Sequence, residues 1–272
     1  MRIQIHQETV YRYETAANYS MQLLRLRPVD NDGQQVLSWR FVAPSFARVT
    51  EARDAYGNVL QTLYIERLHD EVTLSVHGEI ETRDTGGVLQ GTYEPFPPVF
   101  FLRQTDLSAP DDAVKALSEA AKAASDGTPL DLAHRLMDAV RDAVDYRIGE
   151  THTATTAAEA LAHGYGVCQD HTHVFISAAR HAGLPARYVS GYLWVEGDTE
   201  YEASHAWAEA YIEDLGWVGF DVANRICPTD AHVRVASGLD YLETAPARGL
   251  RRGGGGETME VRLKVDSGAV QQ

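Results

Sequence analysis

The hydrophobic period of this chain changes near residue 105, and this change limits the fold more than any other feature. Before it, apolar and polar residues alternate in V-L-S-W-R-F-V (36–42) and in E-V-T-L-S-V-H-G-E-I (71–80). A period of two is typical of strands that bury one face. N-D-G (31–33) and Y-G-N (56–58) supply residues that tolerate tight turns. We therefore predict an antiparallel, β-sandwich-like domain at the N-terminus.

After the change, apolar residues recur at helical spacing. They are Val114, Leu117 and Ala121 in a first helix and Leu132, Leu136, Ala139, Val140 and Ala143 in a second. The second helix is predicted from about Leu130 to Tyr146. A third, alanine-rich helix ends at Gly164, and a fourth follows Cys168. Three strand candidates come next, so the fold class is α+β.

We divide the chain into three parts. Residues 1–105 form the β-rich domain with a linker, residues 106–250 form the mixed core, and residues 251–272 form a glycine-rich connector with a final strand. The linker includes T-G-G-V-L-Q-G-T-Y-E-P-F-P-P (85–98), in which glycine and proline interrupt regular structure. The final strand, M-E-V-R-L-K-V (259–265), alternates like an edge strand, and we expect it to return to the N-terminal sheet.

Composition and charge exclude several classes of function. The chain has 272 residues, 44% of them hydrophobic, and a formal net charge of −15. An acidic surface repels phosphate backbones, so we expect no nucleic-acid partner. The N-terminus lacks the apolar run of a secretory signal, and no window reaches the roughly 18 apolar residues of a membrane span. We therefore expect a cytoplasmic protein without a membrane contact; the oligomeric state stays open.

The stretch G-Y-G-V-C-Q-D-H-T-H (164–173) places one of the two cysteines between glycines and titratable residues. Cys168 could be a buried small hydrophobe, a metal ligand beside His171 and His173, or a nucleophile. We predict that it opens the fourth helix, where unpaired N–H groups and the helix dipole stabilise an anion. An inert cysteine gains nothing from that position.

Two of the later strand candidates carry a histidine and an aspartate. In S-H-A-W-A-E-A-Y-I (204–212) and G-W-V-G-F-D-V (216–222), alternate residues share a face. A three-residue hairpin loop at 213–215 would place His205 opposite Ala223 and make Asp221 its diagonal neighbour. Diagonal neighbours lie about 7 to 8 Å apart at the backbone, which lets an imidazole and a carboxylate bond.

Cysteine, histidine and aspartate in this arrangement are the parts of a nucleophilic site. A thiolate attacks a carbonyl carbon, a histidine base moves the proton, and a carboxylate orients the imidazole. The sequence therefore gives Cys168, His205 and Asp221 as candidate catalytic residues. The backbone N–H of Cys168 is a candidate oxyanion donor, and the second donor is not identified.

The segments G-V-C-Q-D, S-H-A-W-A-E-A-Y-I and G-W-V-G-F-D strongly resemble the core of the transglutaminase-like superfamily. The β-rich N-terminal region resembles the accessory domain of its bacterial members, so the resemblance covers nearly the whole chain. It implies a papain-like core in which a helix carrying the cysteine packs on an antiparallel sheet. It also implies that Cys168 is the nucleophile, His205 the base and Asp221 the orienting acid. V-A-N after Asp221 departs from the P-T-N of many members.

The resemblance implies a cysteine-dependent acyl-group hydrolase, a peptidase or amidase that acts through a thioester on a peptide or protein amide. Two alternatives stay open: a true transglutaminase that transfers the acyl group to an amine, and a binding or scaffold module of the same fold. We expect no cofactor and no metal. Substrate specificity is assigned to loops such as 147–157 and 194–203, and Cys227 is expected to be structural or incidental.

Overall fold

The computed structural model of the protein describes residues 1–197, 200–201 and 204–267. The elements in chain order are β1 (Arg2–Leu24), β2 (Gln34–Val42), β3 (Arg48–Arg53), β4 (Val59–Ile65), β5 (His69–Thr82), β6 (Val88–Leu89), α1 (Asp112–Ala124), α2 (Pro129–Ala143), β7 (Asp145–Tyr146), α3 (Ala157–His163), β8 (Tyr165–Gly166), α4 (Cys168–His181), β9 (Ala186–Leu193), β10 (Glu200–Tyr201), β11 (His205–Ile212), β12 (Gly216–Phe220), β13 (His232–Gly238), α5 (Tyr241–Thr244), β14 (Ala247–Gly253) and β15 (Glu257–Ser267). None of the helices in these described stretches has the length and apolar character that a bilayer crossing requires.

The N-terminal region is a curled antiparallel sheet built around β1. The first half of β1, from Arg2 to Arg12, pairs with β5, and the second half, from Ser20 to Leu24, pairs with β4. The pairing with β5 shifts register between Arg12 and Ala17, where the strand changes partners. One long strand therefore belongs to both parts of the sheet. One apolar cluster packs within this sheet, and a second joins Ile3, Ile5 and Ile80 to β9 and β13 of the other sheet. The predicted antiparallel β-rich region is confirmed.

The C-terminal strands complete this same sheet. β15 pairs with the first half of β1 and β14 with the second half, which confirms the predicted return of the chain to the N-terminal sheet. β15 also pairs with β10, so it is not an edge strand. The glycine-rich segment is not a free connector, because 251–253 belong to β14 and 254–256 form the turn into β15. Residues 268–272 of the predicted final segment lie outside the described residues.

The predicted linker contains regular structure that its glycines and prolines concealed. Val88–Leu89 form β6, which pairs with β12 at the edge of the second sheet. A 3₁₀ turn at Pro98–Leu102 buries Phe101, whose ring lies edge-on to Trp217 at 5.0 Å. The linker thus packs along the core and supplies it with an edge strand.

The second sheet, in the order β13-β9-β11-β12-β6, carries the helical layer. α4 packs on β11 and β9, with α1, α2 and α3 around it. Because helices and sheet enclose α4, every residue from Asp170 to Arg180 is buried. This arrangement confirms the predicted α+β core in which the helix that carries the cysteine packs on an antiparallel sheet.

The ends of α2 and α3 determine which residues surround the start of α4. α2 ends at Ala143, earlier than predicted, because Asp145 and Tyr146 pair in parallel with Tyr165 and Gly166 as β7 and β8. α3 ends as predicted at Gly164, whose φ of 71° is the left-handed conformation that glycine adopts readily. The β7–β8 pair therefore lies directly before Cys168.

Candidate active site

Cys168 is the first residue of α4, and the chain around it is fixed in place. The backbone N–H of Val167 donates to Asp170 Oδ2 at 2.8 Å, which closes the first turn of the helix. Gly166 is needed here, since a Cβ at this position would lie 2.5 Å from Asp170 Cβ. The side chain of Cys168 is half-buried, so it borders both the helix core and the surface.

His205 and Asp221 meet at the ends of neighbouring strands. β11 and β12 are joined by a three-residue loop at 213–215, and Ile212 pairs with Gly216, which is the register that the expected contact of His205 with Asp221 requires. His205 opens β11 and Asp221 follows β12 directly. His205 Nε2 lies 2.7 Å from Asp221 Oδ2, so the two side chains are hydrogen-bonded. The length of loop 213–215 sets this register and so places Asp221 on the same face of the sheet as His205.

The electrostatics of this pair favour two opposite charges. Burial by itself raises the pKa of a carboxyl group, yet hydrogen bonds from His205 and His232 hold the pKa of Asp221 well below its ordinary value. Burial alone would lower the pKa of an imidazole, but hydrogen bonds to Asp221 and to Cys168 raise the pKa of His205 to about 10. An ionised carboxylate therefore faces an imidazolium at neutral pH, and the sulfur of Cys168 is hydrogen-bonded to the same ring.

Two further partners of Asp221 were not found from the sequence. Asn224 Nδ2 donates to Asp221 Oδ2 at 2.8 Å, and His232 Nε2 lies 3.0 Å from the same oxygen. Asn224 follows Asp221 by three residues, and the aspartate turn it forms is a local signal that could have revealed it. His232 begins β13, and no local pattern connects it with Asp221.

Tyr146 lies beside the nucleophile candidate. It belongs to β7, which pairs with the residues just before Cys168, and the residue as a whole stays 44% exposed. Burial of the hydroxyl, together with the negative charges that Cys168 and Asp221 can carry, raises the pKa of Tyr146 to about 12. A partly exposed, neutral phenol thus borders the site.

The alternative metal site at the start of α4 is not assembled. Both ring nitrogens of His171 lie 2.8 Å from backbone carbonyl oxygens, one of Val167 and one of Val144. His173 Nε2 accepts a hydrogen bond from the backbone N–H of Tyr241 at 3.3 Å. Because both ring nitrogens of His171 are engaged, this imidazole is not available to join Cys168 and His173 around an ion.

A different set of potential ligands does lie together. Atoms of His205, Asp221 and His232 all fall within 4.8 Å of one another. Two of the separations, 2.7 and 3.0 Å, are hydrogen-bond lengths. Ligands about 2.0 Å from one tetrahedral zinc ion would lie roughly 3.3 Å apart. The spacing fits a carboxylate that accepts two imidazole N–H groups better than it fits a metal centre.

A buried ionic cluster lies in the same sheet. Glu209 on β11 accepts from Arg187 Nε at 2.6 Å and from Arg234 Nε at 2.7 Å. Arg187 also donates to Glu94 in the linker and lies 3.9 Å from the centroid of the Trp217 ring. Burial alone would raise the pKa of Glu209, but the two guanidinium groups lower it to about 2. The cluster connects β9, β11 and β13 to the linker.

Comparison with known proteins adds two matches to family models. The model described as "Transglutaminase-like superfamily" matches residues 116–222. The model described as "Bacterial transglutaminase-like N-terminal region" matches residues 3–81. The first match includes Cys168, His205 and Asp221, and the second covers most of the N-terminal sheet.

Relatives align over nearly the whole chain. An uncharacterized protein of Mycobacterium leprae is 28% identical over 277 residues, spanning 97% of this chain and 98% of its own length. An uncharacterized protein of Mycobacterium tuberculosis H37Rv is 26% identical and spans 92% and 87% of the two chains. The crystal structure of a candidate cysteine protease from Cytophaga hutchinsonii has a TM-score of 0.76 at 20% identity, covering 98% of this chain and 90% of that one. This last likeness concerns the fold of both regions together.

Proposed function

Because residues 116–222 belong to the transglutaminase-like superfamily, we propose that this protein is a cysteine-dependent acyl-group hydrolase that cleaves a peptide or protein amide. Cys168 is the nucleophile, His205 the base and Asp221 the residue that orients the imidazole. The observation that supports this best is the 2.7 Å bond between His205 Nε2 and Asp221 Oδ2. Since that bond occupies Nε2, the other ring nitrogen remains for the thiol.

The first half of the reaction forms a thioester. His205 holds the proton of the thiol, and Cys168 Sγ attacks the carbonyl carbon while the carbonyl electron pair moves to oxygen. The first N–H groups of a helix have no intrahelical partner, so the N–H of Cys168 can donate to that oxyanion. The tetrahedral intermediate then expels the amine, which takes the proton from His205.

Water completes the reaction. His205 removes a proton from a water molecule, and the hydroxide oxygen bonds to the thioester carbon. The carbon–sulfur bond breaks, the carboxylic acid leaves, and Cys168 and His205 return to their starting states. Asp221 keeps its charge throughout, because it stabilises the imidazolium rather than receiving a proton.

The reactivity of the thiol is the first test. Iodoacetamide at pH 6 should alkylate Cys168 faster than free cysteine, and mass spectrometry locates the modified residue. Cys227 is the internal reference, since it is also half-buried and burial raises its pKa. A rate at Cys168 no higher than that of free cysteine contradicts an activated nucleophile.

Turnover is the second test. A peptide library is incubated with the wild type, with Cys168→Ala and, as matched control, with Cys227→Ser. We expect cleavage by the wild type and Cys227→Ser and none by Cys168→Ala. Cleavage that survives Cys168→Ala would place the activity elsewhere. A labelled primary amine in the same reaction separates hydrolysis from acyl transfer, because only transfer joins the label to the peptide.

A further inference from the structure

We infer that His232 is a positioning residue of the proposed site: it donates a second imidazole hydrogen bond to the carboxylate that orients His205. His232 Nε2 and His205 Nε2 lie 3.0 and 2.7 Å from the same oxygen, Asp221 Oδ2. The catalytic consequence of this arrangement rests on the proposed function, whereas the hydrogen bond itself does not.

The ring nitrogen of His232 that has the proton can be assigned from the hydrogen bond at Nδ1, on the side of the ring away from Asp221. The backbone N–H of Thr229 donates to His232 Nδ1 at 3.1 Å, so Nδ1 is an acceptor and has no proton of its own. A neutral imidazole then has its proton on Nε2, which faces Asp221. Because the His232 side chain is only 2% exposed, water does not compete for either nitrogen. His232 is therefore a neutral donor, in contrast to the cationic His205.

Asp221 needs such a donor because it has no contact with water. Its side chain is 0% exposed, and a buried carboxylate is costly unless its oxygens are hydrogen-bonded. His205 must gain and lose a proton during the reaction, so its bond to Asp221 changes in strength. The bonds from His232 and Asn224 do not change in this way, and they hold the carboxylate in one orientation throughout.

Within the core sheet, His232 lies close to residues of the neighbouring strands. β13, which begins at His232, and β11, which begins at His205, lie on either side of β9. Gly191 on β9 leaves room for the Trp207 ring, since a Cβ there would lie 2.6 Å from it. That ring meets His232 edge-on at 5.4 Å.

The segment that leads into His232 is anchored by the N-terminal sheet. Thr82, the last residue of β5, donates its hydroxyl to the backbone carbonyl of Asp230 at 2.5 Å. The Gln34 side chain, also from the N-terminal region, bonds the backbone N–H and carbonyl of Arg234. The position of His232 therefore depends on the N-terminal sheet as well as on the core.

The direct test reads the imidazole protons by NMR. Protein labelled with ¹⁵N-histidine should show a His232 resonance pattern of the Nε2–H form, together with a slowly exchanging, downfield N–H from His205. The assignments come from loss of the corresponding signals in His232→Gln and His205→Gln. A His232 proton on Nδ1 would overturn the inference, and this result requires no turnover.

Kinetics test the positioning role. His232→Leu removes the donor, and we expect kcat to fall about 10- to 100-fold with KM unchanged, the loss typical of a hydrogen bond to a charged group. His232→Gln, whose amide can donate from about the same place, should recover to within about 3-fold of the wild type. His69→Gln is the matched control, because His69 is a buried histidine of the N-terminal sheet bonded to Ser20.

The outcomes separate this inference from the proposed function. If the wild type shows no turnover but the NMR pattern is as expected, the proposed function fails and the hydrogen bond stands. If Gln and Leu at position 232 reduce kcat equally, the donor has no positioning role. A stoichiometric shift of both histidine signals by Zn²⁺, reversed by a chelator, would mean that these residues form a metal site, and would also overturn the inference.

Discussion

The core sheet buries its central ion pairs, whereas the N-terminal sheet leaves most of its ion pairs exposed. In the core, the side chains of Glu209, Arg187 and Asp221 are 3%, 3% and 0% exposed and are bonded to one another or to histidine. In the N-terminal sheet, Arg12 and Glu71 form a cross-strand pair in which both side chains are about half exposed. Buried ion pairs rarely raise the free energy of unfolding above that of well-packed apolar residues. We therefore interpret the buried charges of the core as groups that position side chains rather than as a source of stability.

The strand alternation shows how the core sheet divides its two faces. Ala206, Ala208 and Ala210 of β11 lie in the apolar cluster around α4. Trp207 and Glu209 alternate with them, and Glu209 receives the two arginines. The small alanines let α4 approach the sheet, whereas the other face holds a fixed ionic cluster. The N-terminal sheet has no comparable cluster among the residues described here.

The largest effect is expected from Asp221→Asn. If Asp221 orients His205 as we propose, replacement of its carboxylate by an amide should lower kcat about 10³- to 10⁴-fold, because the imidazole loses its tautomer control and its counter-charge. Asp54→Asn is the matched change in the N-terminal region, since Asp54 is 8% exposed and pairs with Arg25 at 2.8 Å. Steady-state kinetics on both variants should show a loss only for Asp221→Asn; equal losses would remove the functional difference between the regions.

A large effect on stability is expected from Glu209→Ala. It leaves Arg187 and Arg234 buried with one partner fewer, and breaking a buried pair in this way costs about 3 to 5 kcal/mol. Urea unfolding followed by circular dichroism measures the free energy of unfolding. A change below about 1 kcal/mol would show that water enters the cluster and screens its charges, although the side chains of the cluster have small exposed fractions.

The pH dependence of His205 should give a smaller effect. The pKa of His205 is raised from 6.5 to about 10, so its stabilising contribution is complete below pH 6.5 and is lost as pH rises through about 10. A hydrogen bond to a charged group contributes about 1.5 to 3 kcal/mol. The free energy of unfolding of the wild type relative to His205→Gln should therefore decrease between these two pH values. A difference that is constant with pH would contradict the imidazolium assignment.

The smallest effect is expected from Glu71→Ala. Its partner Arg12 lies 3.1 Å away, but exposed pairs are screened by solvent and contribute about 0 to 1 kcal/mol. Urea unfolding at low and high salt measures this contribution and its screening. If Glu71→Ala were as costly as Glu209→Ala, the contrast between the two sheets would be wrong.

Local patterns account for the parts of the site that the sequence predicted. A helix stop at Gly164 followed by a new helix placed Cys168 at a helix start. For the pairing of β11 with β12 the sequence supplied a condition, a three-residue loop at 213–215, and the structure meets it. That pairing brought His205 to Asp221, because side-chain faces follow from register alone. Each of these predictions depends on residues that are only a few positions apart in the chain or that are joined by one hairpin.

The features that were missed depend on residues far apart in the chain. β6 consists of two residues in a glycine-rich segment, and only the free edge of β12 makes them a strand. Tyr146 was assigned to a helix, but pairing with Gly166 places it in β7 beside Cys168. The glycine-rich segment at 251–256 likewise becomes a strand end and a turn because β1 pairs with both β14 and β15.

Periodicity in the sequence predicts the α+β class and the place of Cys168 at a helix start. The contact of His205 with Asp221 follows from the sequence only on the condition that the loop between their strands has three residues, which is the length that the structure shows. The contact of His232 with the same carboxylate and the cluster of Arg187, Glu209 and Arg234 are visible in the folded structure alone. Those contacts join strands whose order in the sheet differs from their order in the chain. Neither periodicity nor loop length records that order, because it is set by which faces pack together when the whole chain folds.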